Sequence, residues 1–414
     1  MKFILINIFL NILIIFQCYG KPVNNEFNDL KETHSYFCPL LFKIEPFRLD
    51  QKWSVIKKTK TIHKYWNKET QKFVSINIIS NVKEVKKLVF IFFNKKTKPV
   101  IEIRSNKSCS LENIRKIIYD KKNVPLEIET INLKLNVIGN HQYLNPKPPV
   151  LKSKYNKNMV ALIDTGVNYT LKKLYKNIAV KNDEILGYDF WDSDNKPYDS
   201  DPRQNPFYPR HHGTTVFSVI ANEAPETSIA IYRFPALSMC KFQNMIEHIN
   251  KNSIRLVNIS MGSSKKSDWL CFKIAATKYK NIIFVVSAGN NGFDIDQNLI
   301  YPASFDLNNI ITVTSSDQNG RLGRGSNFGK KSVDFMIPAE RVEVLDHRGI
   351  KAFTGGTSYA APRMTAMISR YLEKNPNKSV QDIINVLKKR SIKTNQNLTK
   401  YGWIPDPLDN YLFN

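Results

Sequence analysis

The chain has 414 residues, 42% of them hydrophobic, which is enough for one large core with a smaller second unit and too much for a disordered polymer. Its formal charge of +25 comes from lysines scattered among abundant asparagine and isoleucine, as a coding bias would leave them. The sequence shows no basic stripe or nucleic-acid module, so nucleic acid is not expected as a partner. In chain order, Lys2, an apolar stretch from Phe3 to Phe16, and Cys18 and Gly20 around Tyr19 read as a signal peptide, residues 1–20, cut after Gly20. The stretch is short for a span and interrupted by Asn7 and Asn11, so no permanent membrane anchor is expected. Gln17, where a small residue is wanted, argues against a lipoprotein. The mature chain would begin near Lys21 and be exported, periplasmic or extracellular.

Four cysteines follow, Cys38, Cys109, Cys240 and Cys271, two on each side of the expected domain boundary. An oxidising compartment permits two disulfides; free buried thiols are the other reading, and no zinc spacing is present. Residues 21–150 read as a small α+β N-terminal domain. Strands are expected at Phe73–Ile79, Leu88–Phe93 and Val100–Arg104, and a helix capped by Ser110 with Leu111, Ile114 and Ile118 as its apolar face. Ile131, Leu133, Leu135 and Val137 alternate as in a half-buried strand. The Pro- and Lys-rich stretch Asn145–Asn158 reads as a linker.

In residues 151–414 the pattern changes to near-continuous apolar runs at Met159–Ile163, Ile229–Phe234, Leu256–Met261, Ile282–Val286, Ile310–Val313 and Val333–Ile337. Helical stretches fall between and after them at Thr214–Ala221, Phe242–Asn250, Trp269–Lys280 and Met364–Tyr371. Strands of this kind are buried on both faces, and their alternation with helices predicts an α/β fold with a mostly parallel sheet flanked by helices. Catalytic groups in such sheets gather at the carboxyl ends of the strands.

Four short segments carry chemistry. Ala161-Leu162-Ile163-Asp164-Thr165-Gly166 releases a carboxylate from a buried strand through a glycine turn. An aspartic-protease reading would need a second Asp-Thr-Gly or Asp-Ser-Gly, which the chain lacks. Arg210-His211-His212-Gly213-Thr214 puts an imidazole at the mouth of a helix, where histidine serves as a general base near neutral pH. Ser287-Ala288-Gly289-Asn290 opens a strand into a turn presenting an amide, either an oxyanion donor or simply a turn residue. Gly355-Gly356-Thr357-Ser358-Tyr359-Ala360-Ala361-Pro362 delivers a serine at a helix start, either a nucleophile or a helix cap.

Together, in this order, the four segments resemble the subtilisin-like serine proteases (subtilases) from about Val160 to about Leu387. Asn258-Ile259-Ser260-Met261-Gly262 and Tyr301-Pro302-Ala303 resemble that family's substrate-binding strand and the flank of its specificity pocket. The resemblance implies a three-layer subtilisin-like fold and a secreted serine endopeptidase acting on protein or peptide substrates, closest to secreted bacterial members. It makes Ser358 the nucleophile, His212 the base, Asp164 the residue that orients it, and Asn290 with the Ser358 backbone N–H the oxyanion donors. Ser260, Met261, Gly262, Ala288, Gly289 and Ile300 would bind substrate. The alternatives are a catalytically silent peptide-binding relative and an acyl transferase or ligase using the same triad.

Three departures from the family pattern follow. Only Asn222–Ser228 separate the helix after His212 from the next strand, so the family's calcium loop there is absent and no metal or other cofactor is expected. The acidic run from Asp189 through Asp192, Asp194, Asp199 and Asp201 reads as a solvated loop near the cleft rather than a calcium cage, because the glycine and distal glutamate of such cages are missing. Ile300 falls where the family often has glycine at the base of its pocket, which predicts a shallow pocket for small or medium apolar side chains. Residues 21 to about 150 stand where the family carries a removable propeptide, with a permanent accessory domain as the other reading. The sequence assigns no oligomeric state.

Overall fold

The computed structural model describes residues 23–409 except 44–46, 82–83, 95–96, 133, 135, 140, 153–157 and 237. The expected signal segment, residues 1–20, lies outside the described residues. The chain divides after Tyr143 into two compact units.

The first unit is one helix, α1 (Val23–Phe42), and an eight-stranded sheet in which every strand pairs antiparallel with its successor. The strands are β1 (Trp53–Lys58), β2 (Ile62–Asn67), β3 (Lys72–Ser80), β4 (Val85–Phe93), β5 (Pro99–Ser105), β6 (Leu111–Tyr119), β7 (Pro125–Ile131) and β8 (Gln142–Tyr143). Leu30, Phe37, Cys38 and Leu41 recur at helical spacing on α1 and pack on Tyr65, Ile76, Phe90 and Ile103 of the sheet. Two expectations are corrected here. The helix expected after Ser110 is the strand β6, because Ile114 and Ile117 are buried in a ladder between β5 and β7. Of the alternation expected from Ile131 to Val137, Leu133 and Leu135 lie outside the described residues; β7 stops at Ile131, Asn132 accepts from Lys134 N and Asn136 N, and Val137 bridges back to Ile131. The sequence reading assigned nothing to α1.

The second unit holds β9 (Met159–Asp164), the small hairpin β10 (Val180–Lys181) and β11 (Glu184–Ile185), β12 (Gly187–Asp189), α2 (Gly213–Glu223), β13 (Ser228–Arg233), α3 (Lys241–Lys251), β14 (Leu256–Ile259), α4 (Leu270–Lys278), β15 (Ile283–Ser287) and β16 (Ile310–Ser316). It continues with β17 (Phe335–Pro338), the hairpin β18 (Val342–Leu345) and β19 (Lys351–Thr354), α5 (Thr357–Lys374), α6 (Val380–Arg390) and β20 (Gly402–Trp403). Eight strands form one parallel sheet in the order β12-β13-β9-β14-β15-β16-β17-β20. Alternate residues of β9 face two separate cores. Val160 and Leu162 pack with Val216 and Phe217 of α2 and Met364 of α5, while Ala161 and Ile163 pack with Phe242 of α3 and Phe272 of α4. The result is the expected three-layer α/β architecture. Because the chain leaves β9 for one edge and returns on its other side at β14, the strand order reverses beside Asp164, the place where such sheets build their sites.

The first part of the expected linker packs on this second unit. Leu144 is buried, Asn145 donates to Asp194 at 2.9 Å, and the Tyr169 hydroxyl donates to the Pro146 carbonyl at 2.7 Å. The cysteines are paired within units: Cys38–Cys109 ties α1 to the β5–β6 connection, and Cys240–Cys271 ties the starts of α3 and α4. No helix among the described residues is long and apolar enough to cross a membrane.

Candidate active site

Asp164 is the last residue of β9 and is fully buried. The turn beyond it requires glycine, since Gly166 has φ +98° and a Cβ there would lie 2.4 Å from the Tyr198 carbonyl oxygen. Asp164 Oδ1 accepts from its neighbour Thr165 N at 2.8 Å and from His212 Nδ1 at 2.7 Å. Donation at Nδ1 leaves Nε2 with the lone pair of a neutral imidazole, the tautomer a general base needs. His212 is the N-cap of α2, and Gly213 lets that helix approach: a Cβ there would fall 2.0 Å from the Gly166 carbonyl oxygen. Burial alone would push the His212 imidazole down. The Asp164 charge and hydrogen bond, with Asp199 and Asp201 behind, outweigh that and hold it above its ordinary value.

Ser358 is the second residue of α5, after an N-cap Gly356 at φ +114°. Pro362, one turn further on, has no N–H to give the Ser358 carbonyl, and Ser260 Oγ donates to that carbonyl instead at 2.9 Å. Asn258 Nδ2 donates to Ser260 Oγ at 3.0 Å, and Thr365 of α5 donates to Asn258 Oδ1 at 3.0 Å. A buried chain of hydrogen bonds thus fixes the start of α5 against the end of β14. The Ser358 hydroxyl makes a long 3.4 Å bond to the Ser260 carbonyl oxygen, and among the described residues His212 Nε2 has no hydrogen-bond partner.

Asn290 follows β15 and is oriented by the neighbour of the serine. Its Oδ1 accepts from Thr357 N and from Thr357 Oγ1, both at 3.0 Å, which leaves its NH2 for the cleft that Asn290 lines. That cleft, a cavity of about 360 Å³, is walled by Ser260, Met261, Gly262, Gly289, Ile300 and Ser358 among others. Ile300 Cγ2 stands 3.2 Å from where a Gly262 Cβ would lie and 3.9 Å from where a Gly289 Cβ would lie, so it occupies the space between the two glycine walls. Ala288 does not line the cleft. It is buried in the core, its carbonyl accepting from Asn327 Nδ2 at 2.8 Å, and Ser287 is on the wall.

The acidic run is not a solvated loop. Asp189 and Asp192 both accept from the buried Arg233, at 2.8 and 2.5 Å, Asp201 pairs with Arg203 at 2.7 Å, and Asp199 is wholly buried. The Asp189 carboxyl is pushed up to about 6 by burial, against the pull of Arg233. Among the described residues, two groups have the donor types for a metal ion, Asp199 with His211 and His347, and Glu127 with Glu129 and His141. In the first, the two imidazoles stack with centroids 3.4 Å apart and planes within 9°, so one ion cannot lie in both ring planes. The sequence reading missed Thr165, Thr214, Thr357 and Asp199, whose hydroxyls and carboxylate accept from the backbone N–H groups of Gly213, Asn168, Gly289 and His212 around the site. The three threonines directly adjoin site motifs; Asp199 had no local signal.

A buried carboxylate paired to an imidazole, a serine at a helix start and an anchored amide on a parallel α/β sheet are the residue types a serine-type hydrolase uses. A family model described as the subtilase family matches residues 156–403, more than half of the sequence, and the chain belongs to that family of serine-type endopeptidases. It is similar to subtilisin-like protease 2 of Plasmodium falciparum, 26% identical over 283 residues that cover 62% of this chain and 20% of that protein. It is also similar to the epidermin leader peptide-processing serine protease EpiP of Staphylococcus epidermidis, 24% identical over 323 residues, 62% of this chain and 68% of that protein. The chain therefore spans about 20% of the length of the Plasmodium relative, and the relatives do not single out bacteria. Among solved structures, a cold adapted subtilisin-like serine proteinase shares the fold at TM-score 0.50 and 20% identity, over 61% of this chain and 90% of that one. A lanthipeptide protease does so at TM-score 0.50 and 20% identity, over 60% and 87%.

Proposed function

We propose that this chain is an exported serine endopeptidase that cleaves peptide bonds through an acyl-enzyme on Ser358. The observation that carries the reading is the 2.7 Å Asp164–His212 pair, its imidazole 6.1 Å from the ring of Tyr359 next to Ser358, with Ser358 itself on a cleft wall beside an amide anchored to Thr357. Ser358 Oγ, turned from the Ser260 carbonyl toward Nε2, attacks the scissile carbonyl as its proton passes to His212. Asp164 then stabilises the imidazolium. The oxyanion is held by Asn290 Nδ2 and by the Ser358 N–H, one of the first-turn donors of α5 that has no helical acceptor. The imidazolium returns its proton to the leaving amine, and water activated by His212 releases the acyl group. The substrate backbone adds as a strand along Ser260, Met261 and Gly262, an arrangement that gives affinity with little sequence preference.

Selectivity rests on Ile300 between the glycine walls, which favours small or medium apolar side chains just before the cut bond. Four residues, 224–227, join α2 to β13, which leaves no room for a calcium loop there, and no cofactor is required by the chemistry. Two disulfides support export. The first unit is a propeptide removed near residue 150; sequencing the N-terminus of secreted protein tests this, a start near Lys21 opposing it and one near Lys152 supporting it. The peptidase reading is tested by incubating the chain with a peptide library and reading new termini by mass spectrometry. Cleavage after small apolar residues, abolished by Ser358→Ala, is expected; no cleavage, or selection for Phe or Tyr, contradicts the activity or the selectivity respectively.

A further inference from the structure

Helix α2 begins at the histidine that must be held most accurately, yet its N-cap residue His212 makes no capping bond of its own. The N–H groups of that first turn are met from elsewhere in the chain. Asp199, 13 residues before His212, accepts from His212 N at 3.0 Å on Oδ1. On Oδ2 it accepts from Thr214 N at 2.9 Å and from Thr214 Oγ1 at 2.5 Å. Thr165 Oγ1 donates to Asp199 Oδ1 at 2.5 Å and itself accepts from Gly213 N at 2.8 Å. One buried carboxylate therefore takes His212 N and Thr214 N itself and holds the Thr165 hydroxyl, next to Asp164, that takes Gly213 N between them.

We propose that Asp199 is a positioning residue for the Asp164–His212 pair, acting as a remote cap of α2 that locks the end of β9 to the start of that helix. A cap of this kind does two things. It satisfies donors that would otherwise be orphaned in a dry site. It also places a negative charge at a helix N-terminus, under the residue that becomes an imidazolium during catalysis. No neighbour in the sequence can do this, because a short Asn or Ser at the cap position itself would displace the imidazole. The carboxylate is in turn held from behind. His211 Nδ1 donates to the Asp199 carbonyl oxygen at 2.6 Å, and His347, from the β18–β19 hairpin, stands 3.6 Å from Oδ2 with Tyr198 at its other nitrogen. Burial pushes the Asp199 carboxyl up, but the contacts of His347, His211 and Thr165 outweigh it and keep the group ionised. The negative groups that raise the imidazole are thus Asp164, Asp199 and Asp201, and Asp199 reaches it through the backbone.

The inference rests on the peptidase reading, and its test separates the two. In the full secreted enzyme, Asp199→Asn keeps the shape of the side chain but replaces one acceptor oxygen with a donor and removes the charge. Active-site titration with a fluorophosphonate gives the competent fraction, and kcat and KM are then measured per competent site across pH. The expected result is a fall of kcat by roughly 10- to 100-fold with KM little changed, since small displacements of a catalytic group cost rates of that order. The acid limb of the pH profile should move to lower pH, because His212 loses a negative neighbour. Thr214→Val, which keeps the backbone bond and loses the hydroxyl, should lower kcat less and carries the test if Asp199→Asn does not fold. A loss confined to the competent fraction, with kcat per site and the acid limb as in the wild type, would mean a folding role only and overturn the proposal. A wild-type chain that neither labels nor cleaves would overturn the peptidase reading beneath it.

Discussion

Both units are built around an eight-stranded sheet, but only one of them gathers chemistry. In the second unit all strands of the large sheet run the same way, so their carboxyl ends lie together, and β9, β14 and β15 deliver Asp164, Ser260 and Asn290 to one edge. In the first unit each strand reverses the last, the turns alternate between ends, and polar side chains pair with one another inside the unit: His34 bonds Ser105, and Glu102 pairs with Arg104. The difference teaches that parallel topology makes the site, and that the motif residues use the place it provides.

The largest expected effect sharpens this directly. His212→Ala should lower kcat on the order of a million-fold, the scale for removing one member of a triad that acts as a unit, while a substitution at His34 should leave turnover per folded molecule unchanged. A strong effect on turnover at His34 would break the division between the units. Asn290→Leu should cost about 100- to 1,000-fold in kcat with KM nearly unaffected, because the amide meets charge that exists only in the transition state. The pH profile should rise on its acid side through a pKa above the ordinary histidine value of 6.5, since the neutral imidazole is the active form and its carboxylate neighbours favour the charged one. An acid limb below that value contradicts the electrostatics described here. Ile300→Gly should shift preference toward large side chains by roughly 10-fold or more, read as the ratio of kcat/KM for Phe and Ala substrates.

The smallest effect concerns the two disulfides. Cys38–Cys109 spans 71 residues and Cys240–Cys271 spans 31, so loop entropy predicts that losing the first costs about 0.7 kcal/mol more than losing the second, each about 4 kcal/mol. Denaturant unfolding of the serine pairs would read this, and each loss should lower only the transition of its own unit.

The second unit was largely legible in the sequence for a physical reason. Strands buried on both faces are continuous apolar runs, and the glycines at 166, 213 and 356 are forced by close approach or positive φ, so the motifs carry their own geometry. In the first unit the spacing of Leu111, Ile114 and Ile118 fits a helix, and pairing with β5 and β7 overrides it. α1 carries its own signal in the spacing of Leu30, Phe37 and Leu41. Ala288 shows the limit of reading a wall by resemblance: its neighbours line the cleft, while its own side chain points into the core. Asp199 could not be found at all, because a carboxylate 13 residues from His212 in an acidic run declares its partners only once the loop is folded.

The most direct test is fluorophosphonate labelling of the purified chain. The structure predicts one covalent adduct per molecule on Ser358, absent in Ser358→Ala and strongly slowed in His212→Ala. No adduct on the wild type, or an equal adduct on Ser358→Ala, would contradict the assignment of Ser358 as the nucleophile.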